Sequence, residues 1–276
     1  MFGRESIEYK SNDQILKIRK SALVVADIHD ALREAVKPGI TTGELDLVAG
    51  RVLQDAGARS NFLGYYGYPA NACISVNEVI VHGIPGDRVI SDTDIVSFDC
   101  GAVLDGWHGD ACFTVCMPNA SEANRKLSEY TETAMWAGIA ALASAKHVGE
   151  VGGAIEDYVD SIPEKDRPGL VMEYMGHGIG SAMHMAPDVL NYRARNKGAK
   201  IKPGMVLCVE PMLTLGRPAN ETLDDEWTVV TKDGSNACHW EHEVAIHKDG
   251  IWVLTARDGG VEGLKPYGVT PVPLGD

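Results

Sequence analysis

Two aspartates, Asp99 and Asp110, interrupt the strand-like run DCGAVLDGWHGDACF (99–113), and two glutamates do the same farther along, Glu210 in MVLCVEPML and Glu241 in HWEHE. A carboxylate is disfavoured on a strand, and burying it without a partner costs several kcal/mol. Each therefore needs a cation or a hydrogen-bond donor. Asp105-Gly106 is a strong hairpin signal: a two-residue type I′ turn there pairs Leu104 with Trp107. In that register Gly101 faces Asp110 and Asp99 faces Cys112. Both aspartates then lie diagonally on one face, on the order of 7 Å apart. Two carboxylates that close can share a cation.

An aspartate pair on a strand also fits a solvated face. The neighbours argue against that, because the same face carries Ser97, Gly101 and Val103 where a solvated strand carries Lys, Glu and Thr. Phe98, Cys100, Leu104, Trp107, Phe113 and Val115 fall on the opposite face. Glu210 is alone in an apolar run that Pro211 closes to further ladder pairing, so the choice there is between a buried ion pair and a metal ion. Glu241 shares its strand face with His239 and Glu243 and is ambiguous alone. Four acids with one or two imidazoles form a hard donor set suited to Mn(II), Fe(II) or Co(II), with Zn(II) admissible. Their charge exceeds what one divalent ion balances. Two ions about 3.5–4 Å apart holding a hydroxide are the natural occupants, and the chemistry implied is hydrolysis.

The elements that must position these groups repeat. Apolar residues from Ile15 to Val36 recur at helical spacing, KPG stops them at 37–39, and Thr41 or Thr42 caps a second helix from Glu44 to about Ala56. ACISVNEVIVHGI, DIVSFDCGAV and WHGDACFTVCM then read as strands. The order restarts at Ser121 with a helix to about Ala145, a break at KHVGEVGG, and a shorter helix that starts with Ala154–Val159. Strand-like GMVLCVEPML, WTVVTKDG and CHWEHEVAIHKDGIWVLT follow. VHGIPG with His82 echoes GHGIGS with His177, and each precedes a strand bearing an acid. A lone His before Gly is ordinarily a loop residue, but the paired placement favours two pseudo-symmetric αα-β halves. The expectation is an α+β protein with one catalytic domain over 1–276, its halves about 12–118 and 121–256, and a short C-terminal tail.

With 276 residues, 45% of them hydrophobic, and a net charge of −14, the chain has a sizeable core and no surface built to neutralise phosphates. Nucleic acid and membrane are poor partners for it. The N-terminal sequence lacks an apolar run followed by small residues, and no segment approaches the roughly 18 apolar residues of a membrane span. The six cysteines contain no CxxC pair and read as free thiols in a reducing cytoplasm.

The blocks NEVIVHGIPG, DCGAVLDGWHGD, GHGIGSAMH, VEPML and WEHE together resemble the type I methionine aminopeptidases of the pita-bread fold, over about Ile15 to Thr255. The resemblance implies a curved central antiparallel sheet covered by helices, and five metal ligands at Asp99, Asp110, His177, Glu210 and Glu241. It implies catalytic and substrate-binding roles for His82 and His184, and a proton-handling role for Glu210. It also implies a methionine pocket of Tyr65, Tyr68, Cys73, Met183 and Trp227, and a monovalent cation at Asn77 and Val79. The short interval between Glu210 and Glu241 leaves no room for the helical insertion of type II enzymes. Implied activity is removal of the initiator methionine from nascent chains with a small second residue, by a cytoplasmic monomer acting on N-terminal Met peptides. A dipeptidase or aminopeptidase of different first-residue preference is the alternative, and a non-catalytic binding protein is disfavoured by the complete donor set. Phe62, Tyr66, Met185 and Glu243 depart from the family pattern, which bears on substrate preference and turnover.

Overall fold

The computed structural model describes residues 6–275; residues 1–5 and 276 of the expected domain lie outside the described residues. Helix α1 (Asn12–Ala35) begins at a capping box, in which Ser11 Oγ accepts the Gln14 N–H and the Gln14 side chain accepts the Ser11 N–H. Helix α2 (Thr42–Asp55) has the same device with Thr41 and Glu44, which resolves the choice of cap in favour of Thr41. Helices α3 (Glu122–Ala141) and α4 (Gly149–Ser161) form the second pair.

Two boundaries differ from the expected ones. Helix α3 stops at Ala141, short of Ala145, and α4 starts at Gly149, ahead of Ala154. The glycines that read as a break are helical. A Cβ on Gly152 would lie 2.4 Å from the carbonyl oxygens of Leu190 and Tyr192, so this glycine permits close packing of α4 on the following loop.

The strands Ile95–Leu104 and Trp107–Cys116 form the expected hairpin, with Leu104 opposite Trp107, Gly101 opposite Asp110 and Asp99 opposite Cys112. Asp105 and Gly106 both take left-handed φ, 52° and 80°, as a type I′ turn requires. Ala72–Val76 pairs with the free edge of the Ile95–Leu104 strand, and α1 and α2 cover the apolar face through Ile28, Leu32, Leu45, Phe98 and Phe113. In the second half a five-stranded antiparallel sheet runs in the spatial order Gly250–Val253, His242–His247, Val206–Val209, Gly176–Gly178, Met185–Val189. Helices α3 and α4 cover it through Met135, Ile139, Val151, Ile155, Leu207 and Val244. The repeated helix-helix-strand order is present.

The two sheets are joined at an antiparallel bridge, Cys112 with Glu241, whose N–H groups and carbonyls exchange hydrogen bonds of 3.3 and 2.9 Å. Around it the ladders are interrupted. Val209 pairs with His242, and Met212 (in Met212–Thr214) pairs with His239 (in Ala237–His239). Between these pairs Glu210-Pro211 and Trp240-Glu241 belong to neither ladder. The run through HWEHE, read as one strand, is therefore two strands in different sheets. Pro211 has no N–H to offer a ladder, and Glu241 turns its backbone to Cys112 instead. The gap is where the acids emerge.

Candidate active site

All five expected donors converge on that gap. Donor atoms of Asp99, Asp110 and Glu241 lie within 4.8 Å of one another, as do those of His177, Cys208 and Glu241. His177 Nε2 stands 3.5 Å from Glu210 Oε1. One oxygen of each acid, Asp99 Oδ1, Asp110 Oδ1, Glu210 Oε1 and Glu241 Oε1, is buried without a hydrogen-bond partner in the protein. Burial pushes the Asp99 carboxyl up to about 7. Burial first, and then the charge of the neighbouring acids, raises Asp110, Glu210 and Glu241 well above the ordinary carboxylate range. Four acids this close cannot all ionise unless positive charge joins them. Orphaned oxygens and an imidazole in one cradle fit divalent cations of the harder kind.

The motif around His177 has a steric reason. A Cβ at Gly176 would meet the Cys208 carbonyl oxygen at 2.2 Å, and one at Gly178 the Ala186 carbonyl oxygen at 2.4 Å, so only glycine lets the strand carrying His177 approach so closely. His177 Nδ1 lies 3.0 Å from the Gly178 carbonyl oxygen, so Nδ1–H donates there and the Nε2 lone pair is left toward Glu210. Burial depresses the imidazole to about 3, which keeps it neutral and able to act as a ligand. His184 stacks edge-on to His177 with ring centroids 4.5 Å apart, and its Nδ1 is 2.9 Å from the Tyr65 hydroxyl, leaving Nε2 for the cavity. His82 stands on the other wall, edge-on to Trp227 at 6.0 Å, and its backbone is in the left-handed region with φ 59°. Burial lowers this imidazole as well, to about 4.

A cavity of about 500 Å³ opens over the acids. The five expected pocket residues gather on one side of it: Tyr68, Cys73 and Met183 are buried together, and Tyr65 and Trp227 are packed against them. Tyr68 meets Trp227 edge-on at 5.1 Å, and its hydroxyl donates toward the Gly83 carbonyl oxygen at 3.0 Å. Of the departures from the family pattern, Phe62 closes the pocket wall edge-on to Tyr68, and Tyr66 sits at the mouth, 85% exposed. Met185 lines the cavity beside His184. Asn77, at the expected monovalent site, has its side chain engaged: its amide donates to Asp94 and its Oδ1 accepts the Ile95 N–H.

Two buried groups were outside the expected set. His239 lines the cavity, and its Nε2 lies 3.9 Å from Glu210 Oε2. Glu243 is fully buried behind Asp110, with Oε2 accepting the Asp110 N–H at 3.3 Å and Oε1 unpartnered. The signal for both was alternation with Glu241 along the chain. Only the switch between sheets shows that His239 faces the cavity and that Glu243 lies behind it.

The family model for metallopeptidase family M24 matches residues 16–248. The chain belongs to metallopeptidase family M24. Within M24 it falls with the type I methionine aminopeptidases, and its fold is the pita-bread fold. It is 44% identical over 256 residues to methionine aminopeptidase 1 of Mycobacterium tuberculosis, covering 92% of this chain and 96% of that one. To methionine aminopeptidase 1 of Bacillus subtilis it is 42% identical over 238 residues, covering 86% and 94%. The crystal structure of methionine aminopeptidase from Thermotoga maritima superposes with a TM-score of 0.87 at 32% identity, over 91% of this chain and all of that one. Among the described residues of this M24 chain, no helix is long and apolar enough to cross a membrane.

Proposed function

We propose that the chain is a metal-dependent methionyl aminopeptidase that hydrolyses the first peptide bond of N-terminal Met peptides and nascent chains with a small second residue. The observation that carries this is one cradle of four orphaned carboxylate oxygens and His177 beside a pocket walled by aromatic rings and sulfur, which suits a flexible thioether. Asp99, Asp110, His177, Glu210 and Glu241 would hold two divalent ions. Mn(II), Fe(II) and Co(II) suit this donor set, and Zn(II) is admissible. When bound, the ions offset the clustered negative charge and supply Lewis acidity for hydrolysis.

The chain's own groups do the rest. The Tyr68–Trp227 corner receives the methionine side chain. His184, neutral and oriented through Nδ1 by Tyr65, presents Nε2–H to the scissile carbonyl oxygen as charge develops there. Glu210 takes up the proton of the attacking water and returns it to the leaving nitrogen, while His82 stands on that nitrogen's side. The free α-amine meets the acidic end of the cradle, which restricts cleavage to the first residue. A monovalent cation at Asn77 and Val79 would have to share Asn77 oxygens already used in hydrogen bonds, Oδ1 to Ile95 N–H and the carbonyl to Ala237 N–H. We read the two halves as one catalytic domain acting as a cytoplasmic monomer, in keeping with six unpaired cysteines.

The test uses chelator-stripped protein with Met-Ala-Ser and Pro-Ala-Ser, adding back Mn(II), Fe(II), Co(II) or Zn(II) in turn. Metal-dependent release of methionine is expected; release of proline instead would support the alternative of a different first-residue preference, and release of neither would refute the reading. Tyr65→Phe removes the hydroxyl that orients His184, and one neutral hydrogen bond of this kind corresponds to a drop of about 3- to 10-fold in kcat. Steady-state kinetics on Met-Ala-Ser would show it, and an unchanged kcat would remove Tyr65 from the mechanism.

A further inference from the structure

His239 is 2% exposed, and its Nε2 has no hydrogen-bond partner in the protein. The carboxylate in front of it, Glu210 Oε2, is 3.9 Å away, beyond hydrogen-bond reach. Its backbone is pinned on both sides: the N–H donates to Ser97 Oγ at 3.2 Å, and the carbonyl accepts from Thr114 Oγ1 at 2.7 Å and Cys112 Sγ at 3.4 Å. The main chain cannot carry the ring to a protein acceptor. A buried polar atom held this way in a cavity wall finds its partner in whatever fills the cavity.

The imidazoles divide the cavity into two sides about Glu210. His177 faces Glu210 Oε1, with His184 stacked on it, and His239 faces Oε2. On the mechanism above, the first carbonyl of the substrate is served from the His184 side, and the leaving nitrogen lies toward His82. The next acceptor along a peptide is the carbonyl oxygen of its second residue. We propose that His239 is a further substrate-binding residue, whose Nε2–H holds the second-residue carbonyl of the peptide and sets its path out of the cavity. This inference rests on the aminopeptidase reading.

The experiment compares wild type, His239→Ala and His239→Gln, each loaded with Mn(II), on two substrates. Met-Ala-Ser has a second-residue carbonyl, and methionine 7-amido-4-methylcoumarin has none. Bound manganese per chain is measured alongside. For His239→Ala the expected result is a loss of about tenfold in kcat/KM on the tripeptide, mostly in KM, with the coumarylamide and the manganese content unchanged. Gln, whose amide nitrogen can reach the position of Nε2, is expected to restore most of the loss. Equal loss on both substrates, loss on neither, or loss of bound manganese from His239→Ala would overturn the proposal. A wild-type chain that releases methionine from neither substrate would overturn the aminopeptidase reading itself.

Discussion

Glu210→Gln is expected to lower methionine release from Met-Ala-Ser by roughly 10²- to 10⁴-fold, the range typical for loss of a positioned acid-base group. The substitution keeps the shape of the side chain and removes its charge and its capacity to take a proton. Both oxygens are committed to the centre: Oε1 is 3.5 Å from His177 Nε2, and Oε2 faces His239 at 3.9 Å. The cost should fall mainly on kcat, because the methionine pocket around Tyr68 and Met183 contains no part of Glu210. The same change should not destabilise the metal-free protein. Burial and the charges of Asp99 and Asp110 already hold the Glu210 carboxyl far above its usual range, so a neutral amide relieves a cost that the acid carries. Activity within tenfold of wild type would exclude Glu210 from the chemistry. A collapse of the melting temperature alongside the activity would point to a structural role.

The second large effect is on stability, in the stripped protein. Asp99 rises from 3.8 to about 7 through burial, and Asp110, Glu210, Glu241 and Glu243 are also raised. A carboxyl whose folded value exceeds its unfolded value keeps its proton in the folded state while the unfolded chain gives it up. The folded state is therefore favoured at low pH and loses that advantage as pH rises through the folded value. For Asp99 the window runs from about 4 to about 7 and corresponds to about 4 kcal/mol at most. Melting of chelator-stripped protein should accordingly show Tm falling between pH 5 and pH 8. With Mn(II) present the slope should flatten or reverse, since the ions take the carboxylates in their ionised form. A stripped protein that gains stability over that interval would show that the cluster is not under charge strain.

Much of this site is legible in the amino-acid sequence. The register of the Asp99–Asp110 hairpin follows from Asp105-Gly106, because a two-residue turn with both φ positive leaves one pairing. Side-chain alternation then puts both acids on one face. The helix starts at Thr41 or Thr42 and at Ser121 were legible because capping hydrogen bonds are local, whereas the Ser11 cap came only with the structure. Glycine was the misleading signal: Gly149, Gly152 and Gly153 mark a break in sequence but lie inside α4, since their role is set by the loop packed against them. The C-terminal end of a helix and the break at Trp240 depend on partners far along the chain, and no local pattern reports them.

By itself the sequence determined which residues could carry the chemistry, namely four acids and the histidines of two echoing Gly-Ile motifs, and the local pairing that brings Asp99 next to Asp110. Only the tertiary structure decided that Glu210 and Glu241 emerge from the gap where two sheets exchange strands. It alone showed that His239 faces the cavity with a free nitrogen while Glu243 lies behind Asp110. The reason is the range of the interactions. Turns and caps are fixed by hydrogen bonds within a few residues, whereas which way a side chain faces at a sheet junction is set by the bridge between Cys112 and Glu241, residues far apart in the chain.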